Sequence, residues 1–372
     1  MNQRESGFTL VELLIAMVMF VFVIVAASQM FTGLLTQFKQ QGKIAETNIE
    51  SIVGIEILRQ DLEHAGYGLP WNGLITYNES GTNPFSLNDA ATGAPRAVIS
   101  QNNVAAYTSP NDVFNGSDYL AIKSINVARN NACEKSTTLQ VSPFTSPYNP
   151  RTWTPASENL SNTDRVIVIS PGGTSNQRAL VVNGSTFYTT YANVTTSPWP
   201  PTETTDTRII YGVDPSSNLR MPFNRADYYI SSVDTNGDSI VPGRCSANTG
   251  VLVKAVVSQS DGSFGSFLPI FDCVADMQVI YRRDTDSDGT IDNTTDDISA
   301  LTAQQIRTQV KEVRVYILAH EGQKDPRFTY STGAVTVGEF GVGRTFNLTA
   351  ITDWQNYRWK VHTLVVKPNN LE

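Results

Sequence analysis

Hydrophobic and polar positions follow two different patterns along the chain, and the first lies at the amino terminus. Between Phe8 and Phe38 the only charged residue is Glu12. About 20 apolar residues span a bilayer as a helix, so this run is long enough to cross a membrane. The pattern predicts one helix over residues 8–64, with a transmembrane part at 8–35 and an amphipathic second half. Apolar residues near the helical period in that second half include Ile44, Ile52, Ile55 and Leu62.

The helical pattern stops at a glycine-rich turn, and a second pattern follows. The stretch HAGYGLP contains two glycines and then Pro70, which are typical of a helix end. From residue 65 onward, short runs of alternating apolar and polar residues are separated by Gly, Pro and Asn, a pattern that favours antiparallel strands. We therefore predict an α+β protein in which a β-rich globular domain, residues 65–372, packs on the amphipathic half of the helix.

Several finer features are predicted within this domain. The stretch SQSDGSFG, residues 258–265, predicts a hairpin turn. A short helix is expected over 302–309 and a long loop over 77–110. Two Pro-rich segments, 142–155 and 196–205, are candidate boundaries between two lobes. The predicted strands are 119–127, 165–170, 179–182, 186–191, 208–213, 226–232, 251–258, 274–281, 310–319 and 361–367.

Composition narrows the classes of function. The 372 residues have 17% charged side chains and a net charge of −8, so no basic surface is available to neutralise the phosphates of a nucleic acid. His64, His320 and His362 are far apart in sequence, and no nucleophile stands at a recognisable spacing from them. We therefore expect no enzymatic activity, and the alternative, a membrane-anchored enzyme, lacks a candidate nucleophile.

Glu12 needs an explanation, because an ionised side chain at the centre of a membrane helix costs about 2.5–3.5 kcal/mol on insertion scales. An ordinary signal peptide, cleaved near the VAAS stretch at 25–28, would need a clearly basic start, yet Arg4 is followed by Glu5. A plain single-span anchor leaves Glu12 without a partner. Neither alternative accounts for the whole amino-terminal pattern.

The stretch SGFTLVELLIAM, residues 6–17, resembles the processing signal of type IV pilins and type II secretion pseudopilins. The resemblance implies that a prepilin peptidase removes the leader, residues 1–7, by cutting after Gly7, and then methylates the new amino group of Phe8. It also implies that Glu12 pairs with the amino group of a neighbouring subunit during filament assembly. Two buried charges that satisfy each other can fix the register of packed helices.

A second resemblance concerns the kind of pilin. The stretch ILRQDLEHAGYGLPW, residues 57–71, resembles the end of the long helix in PilW-type minor pilins. Three further stretches, in 116–124, 245–289 and 357–371, resemble other parts of the same proteins. This implies a minor pilin that takes part in initiating type IV pilus assembly and is incorporated at or near the fibre tip. Its partners would be other minor and major pilins, the prepilin peptidase and the inner-membrane assembly platform. It would be a single-pass protein of the bacterial inner membrane before assembly, and part of the pilus at the cell surface afterwards. The alternative is a minor pseudopilin of a type II secretion system.

An acidic segment, residues 284–297, begins with DTDSDGTID and has the ligand spacing of an EF-hand-type calcium loop. Gly289 stands where such a loop bends sharply, but Thr295 stands where the loop has a glutamate. The alternative is an acidic turn without a metal. We predict calcium as the cofactor, and a calcium-dependent surface adhesin carried on the fibre is then a second alternative function. The predicted ligands are Asp284, Asp286, Asp288, Thr290 and Asp292.

The three cysteines are too few for a disulfide scaffold and lack the spacing of a zinc site. Cys245 and Cys273 flank the predicted strand 251–258 and the turn that follows it. Folding the chain at that turn brings them close, which favours a disulfide in an oxidising compartment. Cys133 would then stay free, and its pairing with either of the other two is the rival arrangement.

Overall fold

The structure is a computed structural model, and it begins with a long helix. The structure describes residues 9–72, 75–89, 93–105, 113–140, 150–172, 178–202 and 206–371. Helix α1 is continuous over Leu10–Glu63, and Thr9 is its N-cap residue. Gly66 and Gly68 follow its end with positive φ angles of 84° and 72°, which glycine adopts without strain. The long amino-terminal helix predicted from the apolar pattern is therefore confirmed.

A β-rich body follows α1. Its one further α-helix among the described residues, α2 (Ala303–Gln309), begins with a capping box between Thr302 and Gln305. The strands are β1 (Val98–Gln101), β2 (Tyr119–Ser124), β3 (Ser136–Gln140), β4 (Arg165–Ser170), β5 (Ala179–Leu180), β6 (Thr189–Thr190), β7 (Thr207–Asp214), β8 (Asn224–Ser231), β9 (Gly250–Val257), β10 (Phe264–Arg283), β11 (Asn293–Thr295), β12 (Val310–Glu321), β13 (Ala334–Val337), β14 (Arg344–Asn347) and β15 (Arg358–Val366).

The main sheet has eight antiparallel strands. Its order is β1-β2-β8-β9-β10-β12-β15, and β11 pairs with β10 beside this path. Helix α1 packs on β10, β12 and β15. Leu58 and Leu62 of the helix are fully buried in the same hydrophobic core as Met277 and Ile317 of the sheet. This helix-on-sheet arrangement is the predicted α+β fold.

A second antiparallel sheet of five strands has the order β3-β7-β4-β5, with β6 paired to β4. The two Pro-rich segments, 142–155 and 196–205, stand between β3 and β7 in the sequence, and their residues 142–149 and 203–205 lie outside the described residues. They therefore lie inside its span of the chain, and the division of the body into two lobes stays a prediction. A separate hairpin, β13–β14, packs its Val337 in an apolar cluster with Trp359 of β15.

The structure differs from the strand predictions in three main ways. The segment predicted as a long loop, 77–110, contains β1. The predicted strand 274–281 is only the second half of β10, which is 20 residues long. Register irregularities beside Pro269 and Cys273 interrupt the alternation along β10, so its first half does not show a simple period of two. The short polar strand β3 and the hairpin β13–β14 also lie outside the predicted strands.

Candidate functional site

The amino-terminal half of α1 is exposed on every side. Each residue from 9 to 32 is solvent-accessible, including Phe20 and Phe22. The helix is long and apolar enough to cross a membrane, by length and composition. Gly7 and Phe8, the predicted processing residues, lie outside the described residues. An apolar surface of this size needs lipid or other apolar helices around it.

Glu12 closes the first turn of α1. Its Oε2 accepts hydrogen bonds from the backbone N–H and from the hydroxyl of Thr9, both at 3.0 Å. The N–H of Glu12 donates in return to Thr9 Oγ1 at 3.3 Å. These bonds form a capping box, which satisfies donors that the first turn of a helix leaves free. In the single chain, therefore, the carboxylate of Glu12 has a local partner.

The second half of α1 is seated closely on the main sheet. A Cβ atom added to Gly54 would lie 1.7 Å from the carbonyl oxygen of Ile270, so only glycine allows this approach. Beside this contact the helix stays open: Ile49, Ile52 and Val53 are 64%, 68% and 58% exposed. Ile49 and Val53 border an apolar groove of about 470 Å³ between α1 and the first half of β10. The helix thus offers an apolar surface beyond its contact with the body.

A buried charged cluster fastens the end of α1 to the body. Asp61, from the inward face of the helix, forms an ion pair with Lys254 of β9 and accepts a hydrogen bond from the hydroxyl of Tyr228 of β8. Arg129 approaches the same carboxylate at 3.2 Å. Burial lowers the pKa of Lys254, while the charge of Asp61 opposes that change. The cluster joins four separate parts of the chain.

Sequence reasoning missed this cluster. Its members stand far apart in sequence, and each looks like an ordinary charged or aromatic residue where it occurs. One signal in the sequence could have indicated it: Asp61 directly precedes Leu62 and lies on the apolar face of α1, which is expected to pack against the body. A carboxylate on an inward face requires a buried partner.

The acidic loop lies at the tip of a hairpin. Strands β10 and β11 pair with Arg283 opposite Asn293, so residues 284–292 connect them. The structure brings together three of the predicted ligands: carboxylate oxygens of Asp284, Asp286 and Asp288 lie within 4.8 Å of one another. Asp284 is buried, and the other two are exposed. Three oxygens that converge in this way suit a hard cation such as Ca²⁺.

The remaining predicted ligands have other contacts. Asp292 accepts hydrogen bonds from the N–H of Thr285 at 3.1 Å and from its hydroxyl at 2.7 Å, and the hydroxyl bond holds the pKa of Asp292 below its usual range. Asp292 is not in the three-carboxylate group. The N–H of Thr290 donates to Asp288 at 2.6 Å. Gly289 has a φ of 89°, which fits the predicted bend.

Two of the three cysteines are joined, one of them within β10 of the main sheet. Cys245 and Cys273 form a disulfide with their Cα atoms 4.9 Å apart. Next to it, the N–H of Ser246 donates to Nε2 of the buried His320 at 2.9 Å, and burial lowers the pKa of His320 to about 3. The third cysteine, Cys133, is free and buried, and burial raises the pKa of its thiol to about 11. A buried thiol of high pKa is a poor nucleophile.

Comparison with known proteins bears on the amino terminus. Residues 2–28 match the prokaryotic N-terminal methylation motif. No curated protein and no solved structure matches the chain. The match supports the superfamily of type IV pilins and pseudopilins, and it implies processing by a prepilin peptidase and assembly with other pilins. The apolar helix and this motif together are consistent with membrane anchoring before assembly.

Proposed function

We propose that this protein is a PilW-type minor pilin that helps to initiate type IV pilus assembly and is incorporated at or near the fibre tip. The observation that carries the proposal is the exposed apolar half of α1, most of which lies within the methylation motif. A helix of this kind needs lipid before assembly and other helices afterwards. In this proposal the protein starts in the inner membrane, and its action is structural, not catalytic.

Glu12 supplies a carboxylate that can bind an ammonium group of another subunit during assembly. Both bonds from Thr9 go to Oε2, so Oε1 can receive the methylated ammonium of Phe8 from a neighbouring subunit. An ammonium and a carboxylate that meet among apolar helices stabilise each other, whereas either one alone would be strongly disfavoured there. The pairing therefore favours one axial register between the two helices.

The resemblance of residues 57–71 to PilW-type proteins supports the minor-pilin role. Within that stretch, Asp61 is the residue that reaches Lys254 and Tyr228. The stretch therefore sets how the body sits on the helix, and this orientation decides which surface of the body meets the next subunit. A specialised subunit at the tip needs such a defined orientation.

Deletion of the gene tests this proposal against the pseudopilin alternative. In the deletion strain we expect few or no surface pili and unchanged secretion of exported enzymes, with pili restored by the wild-type gene. Electron microscopy of surface fibres and activity assays of culture supernatants measure the two outcomes separately. Loss of secreted enzymes with normal pili would instead identify a pseudopilin, and no change in either would overturn both assignments.

A second proposal concerns the acidic loop. We infer that Asp284, Asp286 and Asp288 bind calcium, because their oxygens already converge and three carboxylates repel one another without a cation. Asp292 would join them only after leaving Thr285. Calcium would then stiffen the tip of the β10–β11 hairpin. This loop is also the observation that favours a calcium-dependent adhesin as the second candidate function.

A further inference from the structure

Trp153 is the most exposed tryptophan of the chain, at 38%, and yet it is firmly held. Its indole Nε1–H donates to the carbonyl oxygen of Ser136 at 2.8 Å. Its backbone N–H and carbonyl are both bonded to the side chain of Asn159, at 2.7 and 2.9 Å. A large aromatic ring that is fixed but left in solvent is suited to contact with a ligand.

The backbone around Trp153 is also fixed. Pro150 bridges to Leu139 of β3, and the N–H of Arg151 donates to the carbonyl of Thr138 at 3.0 Å. This segment therefore runs beside β3 at the edge of the second sheet. The guanidinium of Arg151 lies 4.1 Å from the centre of the indole ring. A site on such a scaffold needs little ordering when it binds.

A small cavity opens beside the indole. Its volume is about 260 Å³, below the roughly 300–1,000 Å³ of sites for drug-sized ligands, so it suits a single small ring. Apart from the indole, its walls are polar side chains that can donate or accept hydrogen bonds. The lining residues are Glu134, Lys135, Ser136, Trp153, Thr154 and Glu158.

Charges of both signs stand at this cavity. Glu134 and Glu158 supply two carboxylates to its walls and Lys135 supplies an ammonium group, while the guanidinium of Arg151 lies over the indole ring. An anionic ligand would meet both carboxylates, and a cationic ligand would meet the ammonium of Lys135. A neutral ligand with several hydroxyl groups avoids this conflict, because hydroxyls donate to carboxylates and accept from the ammonium group.

We propose that this cavity binds one ring of an uncharged glycan, with an apolar face of the sugar against Trp153. A second cavity, of about 430 Å³ at the carboxyl end of α1, shares Glu134 as a wall and also contains Tyr67. In this proposal, adjacent sugar units of the same glycan extend from the first cavity towards the second. The binding is a property of the single subunit, so it does not depend on the assembly role proposed above.

The test uses the full-length protein in an amine-oxide detergent, because detergents with sugar head groups would compete. The probe is a printed array of uncharged hexose oligosaccharides, with sialylated and sulfated glycans beside them. We expect binding to uncharged glycans, and the best of them is then titrated by calorimetry. Trp153→Ala should weaken this binding at least about tenfold, as expected for a central aromatic contact.

Two further variants make the outcome decisive. Glu158→Gln removes one carboxylate from the cavity wall and should also weaken binding, with an unchanged melting curve. Phe340→Ala removes another exposed aromatic ring, on the β13–β14 hairpin, and should bind like the wild type. Binding to charged glycans alone, or binding that Trp153→Ala leaves unchanged, would overturn the proposal, as would the absence of any uncharged ligand on the array.

Discussion

Arg225 is completely buried and remains charged. Burial lowers its pKa, but the charge and hydrogen bonds of Asp227 outweigh this and raise it. Its guanidinium contacts Asp227 at 2.7 and 2.8 Å and Glu79 at 2.9 Å. Lys123, also fully buried, contacts Glu79 at 2.8 Å and Asp89 at 2.5 Å. Every buried charge in this network has an opposite charge beside it, so removal of one member would leave an uncompensated buried charge.

The first prediction concerns this network. Arg225→Met should lower the free energy of unfolding by about 3–5 kcal/mol, because Asp227 and Glu79 would lose a buried partner. Chemical denaturation of the full-length protein in detergent measures the change. As a control, Lys324→Met removes an exposed pair with Asp353 and should leave the free energy of unfolding almost unchanged. Equal effects of the two substitutions would contradict the role of burial.

The second prediction concerns Glu12. Glu12→Ala should leave leader removal and membrane insertion intact, since fewer charges lower the insertion cost. Incorporation into pili should fall, because the ammonium of a neighbouring subunit would lie unpaired among apolar helices. Immunoblots of sheared pili and of membranes measure the two pools. Incorporation at the wild-type level would show that this pairing does not recruit the subunit.

At the residue scale, the sequence predicted what local spacing determines. The convergence of Asp284, Asp286 and Asp288 follows from positions a few residues apart, whereas the pairing of Glu12 with another subunit stays a prediction. The Asp61–Lys254 pair could not be predicted in this way, because 193 positions separate its members and only the fold brings them together. The same holds for the partners of Arg225.

At the scale of elements, the acidic hairpin tip gives the third prediction. The full-length protein in detergent should melt at a higher temperature in millimolar calcium than in chelator, because a ligand of the folded state stabilises it, by about 0.4–1.4 kcal/mol when its concentration is one to ten times Kd. Asp286→Ala should remove most of the difference. The lack of a glutamate at Thr295 suggests an affinity of about 10⁻⁴–10⁻³ M, typical of extracellular sites.

A matched control separates metal binding from turn stability. Asp261→Ala changes another exposed acidic turn, between β9 and β10, and should leave the shift with calcium unchanged. Magnesium should be a poor substitute, because it prefers a smaller octahedral site. If millimolar calcium leaves the wild-type melting curve unchanged and calorimetry detects no binding, the loop is an acidic turn without a metal.

The fourth prediction concerns the disulfide between Cys245, which precedes β9, and Cys273, in the middle of β10. Non-reducing peptide mapping of the full-length protein should recover Cys245 and Cys273 in one cross-linked pair of peptides. The free thiol of Cys133 should react with alkylating reagents only after unfolding, because it is buried. A linkage that includes Cys133 would contradict the pairing in the structure.

Elements were predictable where the local pattern had clear boundaries. Strand β4, an apolar run between polar residues, has the predicted bounds Arg165–Ser170, and α2 begins one residue after the predicted start. Strand β10 was only half predicted, because irregularities near Pro269 and Cys273 break the period of two. Strand β1 was missed in a segment rich in turn-forming residues, where pairing with β2 overrides weak local preference.

At the scale of the whole molecule, the fifth prediction concerns the mature chain. Cleavage after Gly7 leaves 365 of the 372 residues, and mass spectrometry should show an amino-terminal methylated Phe8. The match to the methylation motif over residues 2–28 supports this processing. Recovery of a chain that begins at Ser28 would instead indicate an ordinary signal peptide.

The seat of α1 on the main sheet has a mechanical consequence. Tension between the amino-terminal segment and the β-rich body acts along the axis of α1. It pulls the helix parallel to the sheet, so that Gly54 is drawn sideways past Ile270. Nearer the carboxyl end of the helix, the same tension must draw Asp61 away from Lys254, and separating opposite charges is costly where water is scarce. Helix and body therefore bear the load together, instead of leaving it to the single covalent connection after Glu63.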